Sequence, residues 1–306
     1  MKKIYTSLGL MSGTSMDGVD ASIIKSNGED KYEVVFDQYF KYDEKMYKEL
    51  VDIRNKVNSS KDLKLNSIAL ANIERKITLF HASICAKIIK DVSINVDLIG
   101  FHGQTIFHNA NEKISKQLGD ANLLSGLLKK RVVYNFREND ILNGGQGAPL
   151  APIFHQLLIN QNQINLPACV LNIGGIANIT IISSKNFYDL KSHDIGPGNC
   201  LLDEWIRKNS DERFDKNGEL ARAGKTDKII LNQAINNFDK VKDNKNLSFD
   251  IKDFNINFVR GHSLQDGIST LTDFTATIIY QSIINSVNLD KDAKLNILIC
   301  GGGRKN

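Results

Sequence analysis

Cysteine is scarce: Cys85, Cys169, Cys200 and Cys300 are the only four in 306 residues, and none approaches C-x-x-C spacing. A disulfide framework needs short, even spacings in a smaller chain, so reduced thiols and a cytoplasmic protein are expected. Histidine is thin as well. Six are scattered, and His102 and His108 stand six apart, off the i, i+4 separation that sets two ligands on one helix face. No structural zinc is expected. No apolar run approaches the roughly 20 residues of a bilayer crossing, and the apolar start after Met1-Lys2-Lys3 is broken by Thr6, Ser7 and Gly9, unlike a secretory signal. An excess of one charge is missing too: 39 basic and 35 acidic residues leave a net +4 spread along the chain, which implies neither a nucleic-acid nor a membrane partner. Aromatics are only 8%, yet 42% apolar content is enough for two modest cores.

Two nucleotide signatures are also absent. There is no G-x-x-x-x-G-K-[ST], and Gly9 to Gly18 does not open a helix as a dinucleotide fingerprint must, because a strand pattern follows it.

What is present is an alternation of strands, glycine turns and helices. Ile4 to Leu10 reads as a strand, Met11 to Gly18 as a small-residue turn and Val19 to Lys25 as a second strand. Ile73, Ile77, Phe80, Ile84 and Ile88 recur at threes and fours, predicting an amphipathic helix over 66–91. Val96 to Phe101 reads as a buried strand carrying His102-Gly103-Gln104-Thr105 at its C-terminal end, where open α/β sheets keep ligands. Asp120 can cap a helix from Ala121 to Lys130, with Lys129, Lys130 and Arg131 at its C-terminal end as the helix dipole prefers. Val132 to Phe136 is another strand, and the loop Asn143 to Ala148 runs into a helix that Pro149 can begin. The second half starts as the first did, with Cys169 to Ile173, a Gly174-Gly175 tip and Ala177 to Ile182, which reads as an internal duplication or as two unrelated hairpins. Helices near 199–209, 227–238 and Thr272 to Val287 follow, then a buried strand from Leu295 to Cys300 ending in Gly301-Gly302-Gly303.

Glycine and small hydroxyl residues leave backbone amides bare, so Ser12-Gly13-Thr14-Ser15-Met16-Asp17-Gly18 has the composition of a phosphate cradle, with Asp17 able to hold Mg²⁺. An ordinary polar hairpin tip has the same composition. Three glycine tips without a P-loop point to a nucleotide clamped between two domains. Asp194, before Gly196-Pro197-Gly198-Asn199, sits where a stiff turn could project a general base, or where an Asx-turn closes a loop. His102 and Gln104 suit a polyhydroxylated ligand; Arg137 and Asp140 precede the Gly144 to Gly147 loop, though Arg137 could be a surface ion pair. His108 and His155, among apolar neighbours, read as structural.

The run Gly9-Leu10-Met11-Ser12-Gly13-Thr14-Ser15-Met16-Asp17-Gly18-Val19-Asp20 resembles the anhydro-N-acetylmuramic acid kinases, of the acetate kinase, sugar kinase, Hsp70 and actin superfamily. Gly100 to Thr105, Gln117 to Asp120, Asn143 to Ala151, Leu171 to Asn178, Asp194 to Asn199, Ala221 to Gly224 and Cys300 to Gly303 are similar to that family's segments, in order. The resemblance implies an α/β, actin-like ATPase fold of two ribonuclease H-like domains, 1–155 and 156–306, with ATP in the interdomain cleft. It implies phosphate and nucleotide contacts from Gly13, Thr14, Ser15, Met16, Asp17, Gly18, Val19, Asp20, Gly174, Gly175, Gly301, Gly302 and Gly303, with Mg²⁺ at Asp17. His102, Gln104, Arg137, Gly145, Gly147 and Asn199 would face the sugar, and Asp194 would deprotonate a water. The implied reaction phosphorylates the 6-oxygen of 1,6-anhydro-N-acetylmuramic acid while water opens the anhydro bridge, giving N-acetylmuramic acid 6-phosphate in peptidoglycan recycling. A homodimer is implied as well. Two departures stand out: Ile195 replaces the family's usual Thr, and family members continue beyond the last glycine turn, so a second domain incomplete at Asn306, in an inactive truncated chain, is one expectation. Other readings are a kinase for another sugar and an actin- or Hsp70-like nucleotide switch.

Overall fold

The computed structural model describes residues 2–109, 112–186, 189–242, 249–286 and 294–306. Two compact units result, Met1–Leu150 and Ala151–Asn306.

Unit 1 begins with the glycine-tipped hairpin. β1 (Tyr5–Ser12) and β2 (Gly18–Ser26) pair antiparallel with Leu8 opposite Ile23 and Leu10 opposite Ala21. Period-two alternation sends Leu8, Leu10, Val19, Ala21 and Ile23 into the core. β3 (Tyr32–Lys41) adds antiparallel to β2. α1 (Glu44–Lys56) and the short α2 (Ser60–Leu65) lead to α3 (Ser67–Val92), which buries Ile73, Ile77, Ile84 and Ile88 as the periodicity requires. β4 (Leu98–Asn109) lies parallel to β1 and then pairs antiparallel with β5 (Ile114–Leu118). α4 (Ala121–Leu128) is capped by Asp120, whose carboxylate accepts from the Leu123 N–H. β6 (Arg131–Val133) joins β4 in parallel, and α5 (Phe136–Leu142) follows.

Some expectations change here. β4 does not stop at Phe101 but runs to Asn109, so His102 to Thr105 lie inside it, where parallel pairing with β1 ends at Ser12 and Gln104. α4 ends at Leu128 because Lys129 turns left-handed, so the three basic residues lie beyond its last helical turn and Arg131 opens β6. Phe136 belongs to α5, not to a strand, since Asn135 breaks the extended run with φ 56°.

Unit 2 starts at α6 (Pro152–Gln161), so Pro152 and not Pro149 occupies the first turn. Ile159 packs on Ala168, Val170 and Ile182, which gives the whole helix to this unit. β7 (Ala168–Ile173), β8 (Ile176–Ile182) and β9 (Lys191–Pro197) form an antiparallel meander. α7 (Cys200–Asn209), α8 (Glu219–Ala223), α9 (Lys228–Lys242) and α10 (Leu264–Ser286) follow, and β10 (Asn296–Cys300) returns parallel to β7. Trp205, Phe238, Leu271, Phe274 and Ile278 pack with Leu171 and Ile179 to form the main core. α10 begins well before the expected Thr272, and Val287, the expected end of its stripe, lies outside the described residues.

The two sheets run β3-β2-β1-β4-β5 and β9-β8-β7-β10. In each, a glycine-tipped hairpin carries a third antiparallel strand on one side and a parallel strand on the other. The duplicated pattern in the sequence therefore corresponds to duplicated topology.

Candidate active site

In unit 1 the tip between β1 and β2 is tied down from within. The Gly13 carbonyl accepts from Gln104 Nε2 at 2.8 Å and from the Met16 N–H at 3.3 Å, and the Asp17 carbonyl accepts from the Tyr42 N–H at 2.8 Å. Met16 and Val19, expected among the nucleotide contacts, are buried core anchors, leaving only their backbone for a ligand. With these carbonyls turned inward, the amides of Thr14 and Ser15 donate to nothing among the described residues, and both residues are exposed. Two adjacent exposed N–H groups without a partner among the described residues are free to donate to an anion.

Gly18 is required by space, because a Cβ there would collide with the Phe40 carbonyl. Asp20 is exposed on β2, opposite Tyr39. Asp17 is half-buried and accepts from Ser15 Oγ at 2.5 Å, while burial and then the Asp17 carboxylate push the Tyr39 hydroxyl upward. Among the described residues no group of three His, Cys, Asp or Glu side chains could hold a metal by itself. Burial, then the Asp37 charge and then the Asp17 charge raise the Asp20 pKa, so the Asp17 carboxylate, with Asp20 close to it, would suit a hard cation such as Mg²⁺.

A second network lies on β4 and α5. His102 Nδ1 meets the Gly103 carbonyl at 2.7 Å, and Arg137 Nε donates to His102 Nε2 at 3.0 Å. A guanidinium cannot accept, so Nε2 is the lone-pair nitrogen and the proton sits on Nδ1. Burial, followed by the Arg137 charge, lowers the His102 pKa to about 4 and keeps the ring neutral. Arg137 Nη1 also donates to the Gly147 carbonyl at 2.8 Å, and the Gly147 N–H donates to Asp140 Oδ2 at 2.7 Å. Arg137 thus ties His102 to the Gly147 end of the loop. Gly145 packs on the Asp140 carboxylate with no room for a Cβ, and Gly147 has φ 75°. His102, Arg137, Gly145 and Gly147 are brought together. Gln104 differs: it is fully buried, its Nε2 spent on Gly13, and its Oε1 has no partner among the described residues.

Unit 2 gathers its own glycines. The Gly198, Asn199 and Cys200 amides donate to the Gly174 and Gly175 carbonyls at 2.8 to 3.1 Å. Gly301, at φ 85°, lies where a Cβ would be 2.5 Å from the Ile173 carbonyl, and Gly303 packs on Ile173 and Asn199. Asn199, expected at the sugar, sits among Gly174, Gly302 and Gly303, its Nδ2 donating to the Ile173 carbonyl at 3.4 Å. Asp194 lies in β9 opposite Asn178, beside an irregularity in the β8 pairing, so a strand and not a turn projects it. Its Oδ2 accepts the Phe249 N–H at 2.9 Å, while Ile195 next to it is fully buried in the core.

The family model for anhydro-N-acetylmuramic acid kinase matches residues 5–306. The chain belongs to this family. A Pelagibacter ubique anhydro-N-acetylmuramic acid kinase is 66% identical over all of this chain and 82% of its own length. Kinases of the same description from Agrobacterium fabrum and Rhodospirillum rubrum are 34% and 35% identical, over 100% and 98% of this chain and 82% and 76% of their own lengths.

Sequence reasoning missed Ser12, Tyr42 and His81 as a unit beneath the Gly13 tip of this kinase-family fold. Ser12 Oγ is 3.1 Å from Tyr42 Oη and 3.3 Å from His81 Nε2, all three buried. One signal was available, since His81 follows Ile77 by four on the core face of an otherwise apolar stripe.

Proposed function

We propose that the chain is an ATP-dependent kinase that phosphorylates 1,6-anhydro-N-acetylmuramic acid on its 6-oxygen while water opens the anhydro ring, yielding N-acetylmuramic acid 6-phosphate. The observation that carries this reading is the exposed pair of unpartnered amides at Thr14 and Ser15, in a chain matched along its length by the kinase family. The repeated sheet order supports ribonuclease H-like halves of the actin-like ATPase type.

Phosphoryl transfer asks a protein mainly for positioning and charge neutralisation, and ATP with Mg²⁺ supplies the phosphoryl group and most of the neutralising charge. The Thr14 and Ser15 amides would receive phosphate oxygens and Asp17 would help hold the metal. The Gly174, Gly175 and Gly301 to Gly303 turns would contribute to nucleotide binding, and Asn199 beside them would face the sugar. His102 holds Arg137 and the Gly145 to Gly147 loop toward the sugar. Asp194 takes the proton of the water that attacks C1; the C1–O6 bond breaks with its electron pair passing to O6, which takes the γ-phosphoryl group of ATP as the bond from phosphorus to the ADP oxygen breaks and ADP leaves. A positioned carboxylate base contributes about 10²- to 10⁴-fold.

No helix among the described residues is long and apolar enough to cross a membrane. Residence in the cytoplasm and assembly as a homodimer belong to the same reading, and sedimentation tests the latter. The kinase itself is tested by incubating the chain with ATP, Mg²⁺ and a panel of sugars. The 6-phosphate should form from the anhydro-sugar alone; preferred turnover of another hexose would assign a different sugar kinase.

A further inference from the structure

The His81 ring is fully buried between Phe80 and Phe101, with ring centroids 6.4 and 5.1 Å away. A polar ring in an apolar core is tolerated only when both nitrogens are satisfied, and Ile77, Ile84 and Ile88 show that the same face of α3 is otherwise filled by aliphatic side chains. His81 Nδ1 lies 2.8 Å from the Ile77 carbonyl. A carbonyl cannot donate, so the proton is on Nδ1 and Nε2 must accept from Ser12 Oγ. Ser12 has one proton to give, so its oxygen accepts from the Tyr42 hydroxyl. The chain of bonds runs one way only: Tyr42 to Ser12 to His81 to the α3 backbone. Burial also lowers the ring's pKa to about 4, which keeps it neutral and Nε2 accepting.

This chain reaches both ends of the Gly13 tip. Ser12 immediately precedes Gly13, and the Tyr42 N–H holds the Asp17 carbonyl. We infer that His81 is a positioning residue for nucleotide binding: through Ser12 and Tyr42 it fixes both ends of the Gly13 to Asp17 tip so that the Thr14 and Ser15 amides meet the phosphate chain. The inference rests on the kinase reading and extends it to a residue remote from the ligand.

The test titrates the whole chain with ATP and, separately, with adenosine, both with Mg²⁺, for wild type, His81→Leu and His81→Gln, with melting curves to confirm folding. His81→Leu should weaken ATP about tenfold and leave adenosine within about twofold, because only the phosphate contacts depend on the tip. His81→Gln should recover most of the loss, since its amide can donate to Ile77 and accept from Ser12. If His81→Leu does not fold, Tyr42→Phe removes one hydroxyl at little cost in packing and reads the same contrast. Equal weakening of ATP and adenosine, or unchanged ATP binding in a folded variant, overturns the inference, as does a wild-type chain that binds no ATP. Sugar turnover by wild type is scored separately: its failure alongside the ATP contrast would count against the sugar assignment and leave His81 in place.

Discussion

In unit 1 the hairpin tip is shaped by side chains beneath it: Gln104 grips the Gly13 carbonyl, and Tyr42, Ser12 and His81 brace its two ends. In unit 2 the corresponding tip is shaped by missing side chains, since Gly198, Gly301 and Gly303 bring backbone against Gly174 and Ile173 with no space for a Cβ. The same topology therefore offers two ways to shape a glycine tip. In the unit 1 tip a side chain is tolerated at Gly13 but not at Gly18, whereas in unit 2 a Cβ at Gly198, Gly301 or Gly303 would meet neighbouring atoms at less than contact distance.

The contrast breaks most sharply at Asp194, the proposed base. Asp194→Asn removes the carboxylate of unit 2 and leaves the unit 1 tip intact, so turnover should fall about 10²- to 10⁴-fold with ATP affinity within about twofold. Steady-state kinetics beside calorimetry decide it; retained activity would place the base elsewhere. Gly198→Ala comes next. Its Cβ would collide with the Gly174 carbonyl, and a loss of about 3 kcal/mol is expected in chemical denaturation. An unshifted midpoint would mean that backbone approach does not define this turn.

Acid sharpens the comparison differently. His81 and His102 are both held at about 4, against an ordinary value of 6.5, chiefly by burial. The folded chain excludes protons that the unfolded chain binds between those values, so unit 1 keeps this stability above pH 6.5 and loses it as pH falls toward 4. Denaturation midpoints at pH 7 and pH 5 should differ, and His102→Gln should reduce the difference; an equal drop in that variant would contradict the assignment. The smallest effect belongs to Gly13→Ala. Its Cβ would meet only Ser15 Oγ, at 3.7 Å, so stability should change by less than about 0.5 kcal/mol even where ATP binding weakens.

Much of this was legible in the sequence because glycine tips and apolar periodicity report directly on backbone geometry. β1, β2, α3, β7 and β8 follow from residue alternation and spacing alone, and so does the existence of β10. The expected burial of β10 does not hold, because it pairs with β7 on one side and leaves Ile297 and Ile299 about half exposed. β3 does not, since Tyr32 to Lys41 is an edge strand whose residues are exposed or half-exposed, without a clean alternation. His102, Arg137, Gly145 and Gly147 could be named because each carries a distinctive chemistry near a glycine loop. The brace of Ser12, Tyr42 and His81 could not, because its members are 30 and 69 residues apart and only the packing of α3 on the sheet joins them. Gln104 was given to the sugar on its amide chemistry, and burial redirected that amide to Gly13.

The most direct test of the central claim is the fate of oxygen when the chain turns over 1,6-anhydro-N-acetylmuramic acid and ATP in ¹⁸O-labelled water. The account predicts one labelled oxygen on C1 of the N-acetylmuramic acid 6-phosphate and none in the phosphoryl group. Label in released phosphate, with the anhydro-sugar recovered unchanged, would show ATP hydrolysis without sugar chemistry and contradict it.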